Sequence, residues 1–349
     1  MYILGIETSC DETAASVVKR CGRSGKVSVL ANIISSQIDI HQQYGGVVPE
    51  VAAREHVINI LPVIDQALQE ANIKPAKLDY LAVTKGPGLI TSLISGLETV
   101  RVLSYVWRKP VIEVNHIEGH IFSNFINPNF KIEYPAIILT VSGGHTNLVR
   151  LAKGNKLKVV GETLDDAAGE AYDKGAKMLG LTYPGGPIIS KLAKEYQESF
   201  KSGQVQDSDI KLPRPMIGSK DLNFSFSGLK TALLYRLQQD KKWKKRIPEY
   251  CYYYQEAIID ILVTKTIKAA KQYKAKTVML AGGVSANEEL RIRLAQAVAK
   301  LGGVSYLVPE RAYTTDNAAM IAAAATFKTA PKFIRNFKQL RVEANLPLK

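Results

Sequence analysis

Cysteine is scarce in this chain. Its 349 residues contain three, Cys10, Cys21 and Cys251, none of them in a C-x-x-C pair. That excludes a cysteine zinc knuckle and a dithiol redox motif, and it fits a reducing compartment. Long apolar runs are missing as well: none approaches the roughly 20 residues that cross a bilayer. The chain opens on Met1-Tyr2-Ile3-Leu4-Gly5-Ile6, a core-strand pattern with no basic leader or cleavage signal, so a cytoplasmic protein with no membrane partner is expected. No low-complexity tract or long linker breaks the sequence. Histidine is rare too, at five residues, which makes the spacing of two of them informative.

What the chain has in excess is positive charge. The formal net charge is +14, a balance that suits a polyanionic partner such as nucleic acid, or equally a lysine-rich surface with no such partner. Part of it is clustered. Lys241-Lys242-Trp243-Lys244-Lys245-Arg246 surrounds an aromatic with bases; Lys265, Lys268, Lys271, Lys274 and Lys276 follow one later helix and its exit; Arg335, Lys338 and Arg341 mark the C-terminal tail.

Strand and helix patterns alternate, which predicts an α/β protein. Residues 2–6 and 13–19 read as strands around the polar turn Glu7-Thr8-Ser9-Cys10-Asp11-Glu12, with a third strand over 28–36 and a helix over about 48–71. Strands at 79–84 and 110–114 follow, the second feeding a helix that begins near His116. The opening pattern returns at residue 136: an apolar run to Val141, the small turn Ser142-Gly143-Gly144-His145-Thr146, then a second strand to Leu151. Two such hairpins predict two related lobes, 1–115 and 116–319, with 320–349 returning to the first. Residues 195–225, richer in polar residues, glycine and proline, read as a surface excursion.

His116-Ile117-Glu118-Gly119-His120 places two imidazoles four residues apart. On a helix they point the same way, since each residue turns about 100°, and a distant acid such as Asp316 in Thr315-Asp316-Asn317 can complete a metal site. The H-E-x-x-H metalloproteases share the spacing, but their acid directly follows the first His. Glu118 sits two residues on, about 200° round the helix, and so faces away from a metal held by the pair. A helix bearing two hydrogen-bonded histidines is the alternative.

Several turns are built for close backbone approach. Gly143-Gly144 lacks the Cβ that would block a ligand, although Gly-Gly is also a favoured hairpin turn. Ala281-Gly282-Gly283-Val284-Ser285-Ala286-Asn287 links an apolar strand to a helix whose N-terminus favours an anion, while Ser285 or Asn287 can equally be a cap. It is neither a P-loop nor a dinucleotide fingerprint, because the G-K-S/T ending and the G-x-G-x-x-G spacing are both absent. Asp165-Asp166-Ala167-Ala168-Gly169-Glu170-Ala171-Tyr172-Asp173-Lys174 collects acids at a helix start, where the dipole favours them. Asp173 lies deeper and is a candidate for ribose hydroxyls, with the Tyr183-Pro184-Gly185-Gly186-Pro187 turn beside the same ligand. Phe224-Ser225-Phe226-Ser227-Gly228-Leu229-Lys230-Thr231 reads as an edge strand leading into a capped helix.

In this order and spacing the motifs resemble the TsaD family of tRNA N6-adenosine threonylcarbamoyltransferases, once described as O-sialoglycoprotein endopeptidases. The likeness runs from residue 2 to about 326 and includes Tyr44-Gly45-Gly46-Val47-Val48-Pro49-Glu50. Its Ser-Gly-Gly-His-Thr and Phe-Ser-Phe-Ser-Gly-Leu-Lys forms are similar to the bacterial and mitochondrial branch. The resemblance implies the actin/sugar-kinase/Hsp70-like (ASKHA) fold, two lobes with a nucleotide and metal cleft. It implies transfer of a threonylcarbamoyl group from threonylcarbamoyl-adenylate to N6 of the adenosine 3′ of the anticodon, in tRNAs reading codons that begin with adenine. It also implies one divalent metal ion, iron (Fe2+) first and zinc second, on His116, His120 and Asp316. Thr140, Val141, Ser142, Gly143, Gly144, Asp173, Gly186 and Asn287 match positions that hold the adenylate, where ATP or AMP would also sit. Some members carry an Asp four residues after the second glycine of the Tyr-Pro-Gly-Gly turn, where this chain has Ser190. The implied partners are tRNA, a smaller paralogous TsaB-like subunit and a TsaE-like P-loop ATPase. Asp11 and Glu12 are the candidates for taking the N6 proton. The competing readings are a small-molecule kinase on the same fold, a metalloprotease, and a nucleotide-dependent scaffold.

Overall fold

The computed structural model describes residues 1–22, 25–126, 132–201, 208–328 and 339–348. The chain divides into two compact units, Met1–Lys131 with Pro309–Lys349, and Ile132–Val308.

The first unit opens with β1 (Tyr2–Glu7), β2 (Glu12–Arg20) and β3 (Val27–Ser36), followed by α1 (Ile38–Gln42) and α2 (Pro49–Glu70). Then come β4 (Tyr80–Gly86), α3 (Ile90–Trp107), β5 (Val111–Asn115) and α4 (His116–Ser123). The sheet order is β3-β2-β1-β4-β5. The first three strands form an antiparallel meander, and β4 and β5 join β1 in parallel. Leu4, Ile6, Val17, Leu81 and Val83 pack with Ile60 and Ile64 of α2 and Leu97 and Val100 of α3. The second unit begins with β6 (Ala136–Val141), β7 (Thr146–Ala152) and β8 (Lys156–Glu162), followed by α5 (Ala168–Met178), α6 (Gly185–Lys201), α7 (Ser227–Gln239) and α8 (Ile247–Gln272). It closes with β9 (Thr277–Ala281), α9 (Glu288–Ala299) and β10 (Ser305–Leu307). Its sheet order, β10-β9-β6-β7-β8, repeats the first: an antiparallel meander extended by two parallel strands. The repeated hairpin therefore does mark two related halves.

The chain returns to the first unit in α10 (Ala318–Phe327), which packs on β1 to β5 and on α4. Six of the ten residues of this helix are alanine, and it is buried on every side. A helix apolar all round belongs inside a core. Because α4 packs on α10, the observed division falls after residue 131, and the histidine helix sits in the first unit instead of opening the second. The stretch 195–225 also differs from a surface excursion. α6 continues to Lys201, and Ile210, Leu212, Leu222 and Phe224 are buried in the second core; residues 202–207 lie outside the described residues, as do Arg335 and Lys338 of the basic tail. Among the described residues no helix is long and apolar enough to cross a membrane.

Candidate functional site

Two clusters of the sequence-predicted residues form, one in each unit. In the first unit β5 ends at Asn115, whose side chain caps α4: Oδ1 accepts from the amides of Ile117 at 2.8 Å and Glu118 at 3.3 Å. The capped helix starts with His116 and carries His120 one turn later. Opposite, Asn317 caps α10 through the Met320 amide at 3.0 Å, which fixes Asp316 just ahead of that helix. Gly119 permits the approach of the two helices, since a Cβ there would lie 2.8 Å from the Ile321 side chain and 3.2 Å from Met320.

The three donors converge. Asp316 Oδ1 lies 3.1 Å from His120 Nε2 and 3.5 Å from His116 Nε2, and one ligand atom from each residue falls within 4.8 Å of the others. His116 and His120 are buried, with ring centroids 4.7 Å apart. Neither nitrogen of His120 has a hydrogen-bond partner; the 3.1 Å approach to Asp316 lacks hydrogen-bond alignment. A fully buried imidazole with both nitrogens unsatisfied is costly, and a cation between Nε2 and the carboxylate removes part of that cost. The residues therefore fit a metal ion.

Glu7 completes the arrangement, a role the sequence reading did not give it. Its Oε2 lies 3.2 Å from His116 Nδ1 and accepts from Thr84 Oγ1 at 2.6 Å, while Oε1 accepts from the Ser9 amide at 2.5 Å. Ser9 Oγ lies 3.1 Å from the same Nδ1. An Nδ1–H donated to the carboxylate would leave Nε2 of His116 to face a metal ion, the usual orienting device behind a metal-binding imidazole. Glu7 and His116 stand 109 residues apart, and only the β1–β5 sheet brings them together. Glu118 points elsewhere: its carboxylate pairs with Lys328 at 3.1 Å. It belongs to no metal-binding group among the described residues, which removes the support for a metalloprotease.

The charges act on one another. Burial alone would push the His116 pKa down, but the Asp316 and Glu7 carboxylates raise it to about 9 from 6.5. Burial pushes the Glu7 carboxyl up, yet His116 brings it net below its ordinary value. Burial, then the Asp316 and Asp11 charges, hold the Glu12 carboxyl well above the usual carboxylate range. Asp11 is buried and its carbonyl accepts from the Gln37 amide.

Stability of the metal-free protein should therefore depend on pH. A folded-state pKa raised above the unfolded value gives stability that is complete below about pH 6.5 and lost as pH rises through about 9. The shift corresponds to about 3 kcal/mol, with the Glu7–His116 attraction counted once. Metal-free protein should melt higher at pH 6 than at pH 9.5, and His116→Gln should shrink that difference. An equal difference in wild type and variant would remove His116 as its source.

In the second unit the β6–β7 turn, α5 and the start of α6 are contiguous. Thr140 is buried and its Oγ1 has no hydrogen-bond partner. Beyond Val141, Ser142 Oγ accepts from the His145 amide at 3.2 Å, and the Ser142 carbonyl accepts from Gly169 of α5 at 3.2 Å. A Cβ on Gly143 or Gly144 would meet nothing, so the backbone of this turn is open to a ligand. Asp173 Oδ1 accepts from the Gly185 amide at 2.7 Å and thereby supports the first turn of α6, which also carries Gly186 and Ser190. Asn287 caps α9 through the Leu290 amide at 2.9 Å, and its Nδ2 donates to Gln255 Oε1 at 2.8 Å and Ser190 Oγ at 3.4 Å. Ser190 thus touches Asn287 where some family members carry an acid. Asp165 accepts from Ser225 Oγ, Ser227 Oγ and the Phe226 and Ser227 amides, and Asp166 pairs with Lys174 at 2.7 Å. The Phe-Ser-Phe-Ser motif and Asp165 form a brace.

Comparison with known proteins agrees with the motifs. The family model described as TsaD, tRNA N6-adenosine threonylcarbamoyltransferase, matches residues 28–323. A protein of that name from Syntrophomonas wolfei is 48% identical over 326 residues, 93% of this chain and 91% of the relative. The Bacillus subtilis protein of the same name is 47% identical over 328 residues, 93% and 90% of the two chains. The one from Thermosipho africanus is 45% identical over 349 residues, covering 100% of both. Among solved structures, the activator of 2-hydroxyisocaproyl-CoA dehydratase from Clostridium difficile with bound ADPNP superposes with a TM-score of 0.50 at 12% identity, covering 93% of this chain and 94% of that one. That likeness shows the fold alone, which is the ASKHA type.

Proposed function

Because this chain belongs to the TsaD family of tRNA N6-adenosine threonylcarbamoyltransferases, we propose that its two clusters divide the work of one acyl transfer, the first holding a metal ion and the second the donor. The protein is a tRNA-modifying transferase that places a threonylcarbamoyl group on N6 of the adenosine next to the anticodon. The donor in our reading is threonylcarbamoyl-adenylate. The N6 amine attacks the carbamoyl carbon, the C–O bond to the phosphate breaks, AMP leaves, and the N6 proton passes to a base.

Such a mixed anhydride is reactive and the amine is a poor nucleophile, so positioning and charge stabilisation carry most of the acceleration. The open backbone of Gly143-Gly144 and the Thr140 hydroxyl suit the phosphate or carbamoyl end of the donor, and Asp173, Gly186 and Asn287 the nucleoside end. Asp11 and Glu12 are the carboxylates we assign to the N6 proton. A divalent ion on His116, His120 and Asp316, iron as first choice and zinc as second, supplies Lewis-acid charge when bound. The observation that carries this reading is the buried, unsatisfied His120 facing Asp316 beside a Glu7-oriented His116.

Partners follow from two surfaces. α2 and α3 pack together yet leave Val57, Ile58, Leu61, Val102, Tyr105 and Val106 exposed, an apolar face of the kind that marks a protein interface. We assign it to the smaller TsaB-like subunit, with a TsaE-like ATPase completing a cytoplasmic assembly. Lys241, Lys242, Lys244 and Lys245 flank Trp243 in and beside the short turn Trp243–Lys245, whereas Arg246 is engaged by Asp209, Asp240 and Glu249. These lysines suit tRNA phosphates. Replacing all four by alanine should weaken tRNA binding and lower the slope of log affinity against log salt by roughly one for each phosphate no longer neutralised. An unchanged slope in filter binding would place the tRNA elsewhere.

The test of the reading supplies threonylcarbamoyl-adenylate and unmodified tRNA reading an adenine-first codon to the protein with its two partners. Threonylcarbamoyl-adenosine is then measured by mass spectrometry of digested tRNA. Product that depends on this chain supports the reading. No product, beside an active relative under the same conditions, would return it to the small-molecule kinase alternative.

A further inference from the structure

The last described stretch, residues 339–348, lies beyond the span of the family model, 28–323, yet it is tied to the metal helix. Leu340 is buried in the first core, and its carbonyl accepts from Arg101 Nη2 at 2.8 Å. The chain then runs along the turn after β4: the Glu343 amide donates to the Lys85 carbonyl at 2.9 Å, and the Gly88 amide to the Ala344 carbonyl at 3.1 Å. The fit is close, since a Cβ on Gly86 would overlap the Glu343 carbonyl oxygen. At its end, the carbonyls of Leu346 and Pro347 accept from Asn115 Nδ2 at 3.4 and 3.2 Å.

Asn115 is therefore shared. Its Oδ1 caps α4 immediately before His116, and its Nδ2 is held by the C-terminal segment. A second route leads to the same imidazole. The turn carrying Gly88 is bound on its other side to the polar turn, where the Leu89 amide donates to the Ser9 carbonyl at 2.8 Å, and Ser9 Oγ lies against His116 Nδ1 at 3.1 Å. The segment thus braces both neighbours of His116, the cap behind it and the hydroxyl beside it. Partners outside the ligand shell set the orientation of metal-binding imidazoles and influence affinity strongly.

We propose that Leu346 and Pro347 are positioning residues for the metal site, acting as a C-terminal strap that locks the Asn115 cap and with it the aim of His116. This rests on the metal reading of His116, His120 and Asp316. The experiment uses the metal-stripped 349-residue chain, a chain ending at Asn345, Asn115→Ser, and the two changes combined. The shorter chain keeps Leu340 and the Glu343–Lys85 bond. Serine still caps a helix but cannot reach the strap. Co2+ is titrated as a spectroscopic probe, and each metal-free protein is melted in parallel.

Wild type should bind one Co2+. The shortened chain and Asn115→Ser should each bind it about tenfold more weakly with altered visible bands, and the combination should lose no more than either alone. Wild-type affinity in the shortened chain, or additive losses in the combination, would overturn the strap while leaving the metal site standing. Absence of Co2+ binding by wild type would instead overturn the metal reading and the strap with it. If the shortened chain does not melt cooperatively, Asn115→Ser decides alone: wild-type affinity there overturns the proposal.

Discussion

His120→Ala is expected to cut threonylcarbamoyl transfer by roughly a thousandfold, equivalent to about 4 kcal/mol of lost transition-state stabilisation. In the proposed metal site His120 is the ligand with no other duty, because neither of its nitrogens is hydrogen-bonded, whereas His116 is also held by Glu7 and Ser9. Removing His120 leaves one imidazole and one carboxylate, too few for a stable site. Metal content by elemental analysis should therefore fall from one ion per chain to near zero. Chelation of the wild type should reproduce the loss, and added Fe2+ or Zn2+ should restore the wild type but not the variant. Glu118→Ala is the matched control. Its pair with Lys328 is partly exposed, so its removal should cost about 1 kcal/mol or less of stability and leave transfer intact. A folded His120→Ala protein with full turnover would sink the metal-dependent mechanism.

How much of this could be read from the sequence depended on the range of each signal. The histidine pair was legible because its geometry is local: four residues on a helix fix both directions. Asp316 was legible as a distant acid able to complete the pair, and the family likeness singled it out. Glu7 was seen as one acid of a polar turn, and its role behind His116 was hidden because it depends on the β1–β4–β5 sheet bringing Glu7, Thr84 and the end of β5 together. The paired hairpins were legible from apolar runs joined by small polar turns, and the common sheet order bears that out. The place where the chain divides was not, because α4 looks from sequence like the start of a new lobe. What keeps it in the first unit is α10, an alanine-rich segment with no amphipathic period to announce its neighbours. Asp165 likewise read as a helix-start acid, and only the structure shows four donors from residues 225–227 closing on it.

The second large effect is expected on the α2–α3 face. Helical spacing puts Val57, Ile58 and Leu61 on one side of α2, and Val102, Tyr105 and Val106 on one side of α3. Tyr105 is 72% exposed and Val57 68%, so charged substitutions there should hardly touch the monomer, shifting its melting by no more than a few degrees. If a TsaB-like subunit covers this face, Val102→Glu with Tyr105→Glu buries two unpaired carboxylates at the interface. That costs several kcal/mol, and affinity for the subunit should fall at least about a hundredfold, measured by calorimetry or co-elution. Transfer should fall with it at low subunit concentration and recover as the subunit is raised, because neither residue belongs to the donor or metal clusters. This recovery separates lost assembly from damaged chemistry: His120→Ala should stay inactive at every subunit concentration. Wild-type affinity in the double variant would mean that the apolar face of α2 and α3 is not where the subunit docks.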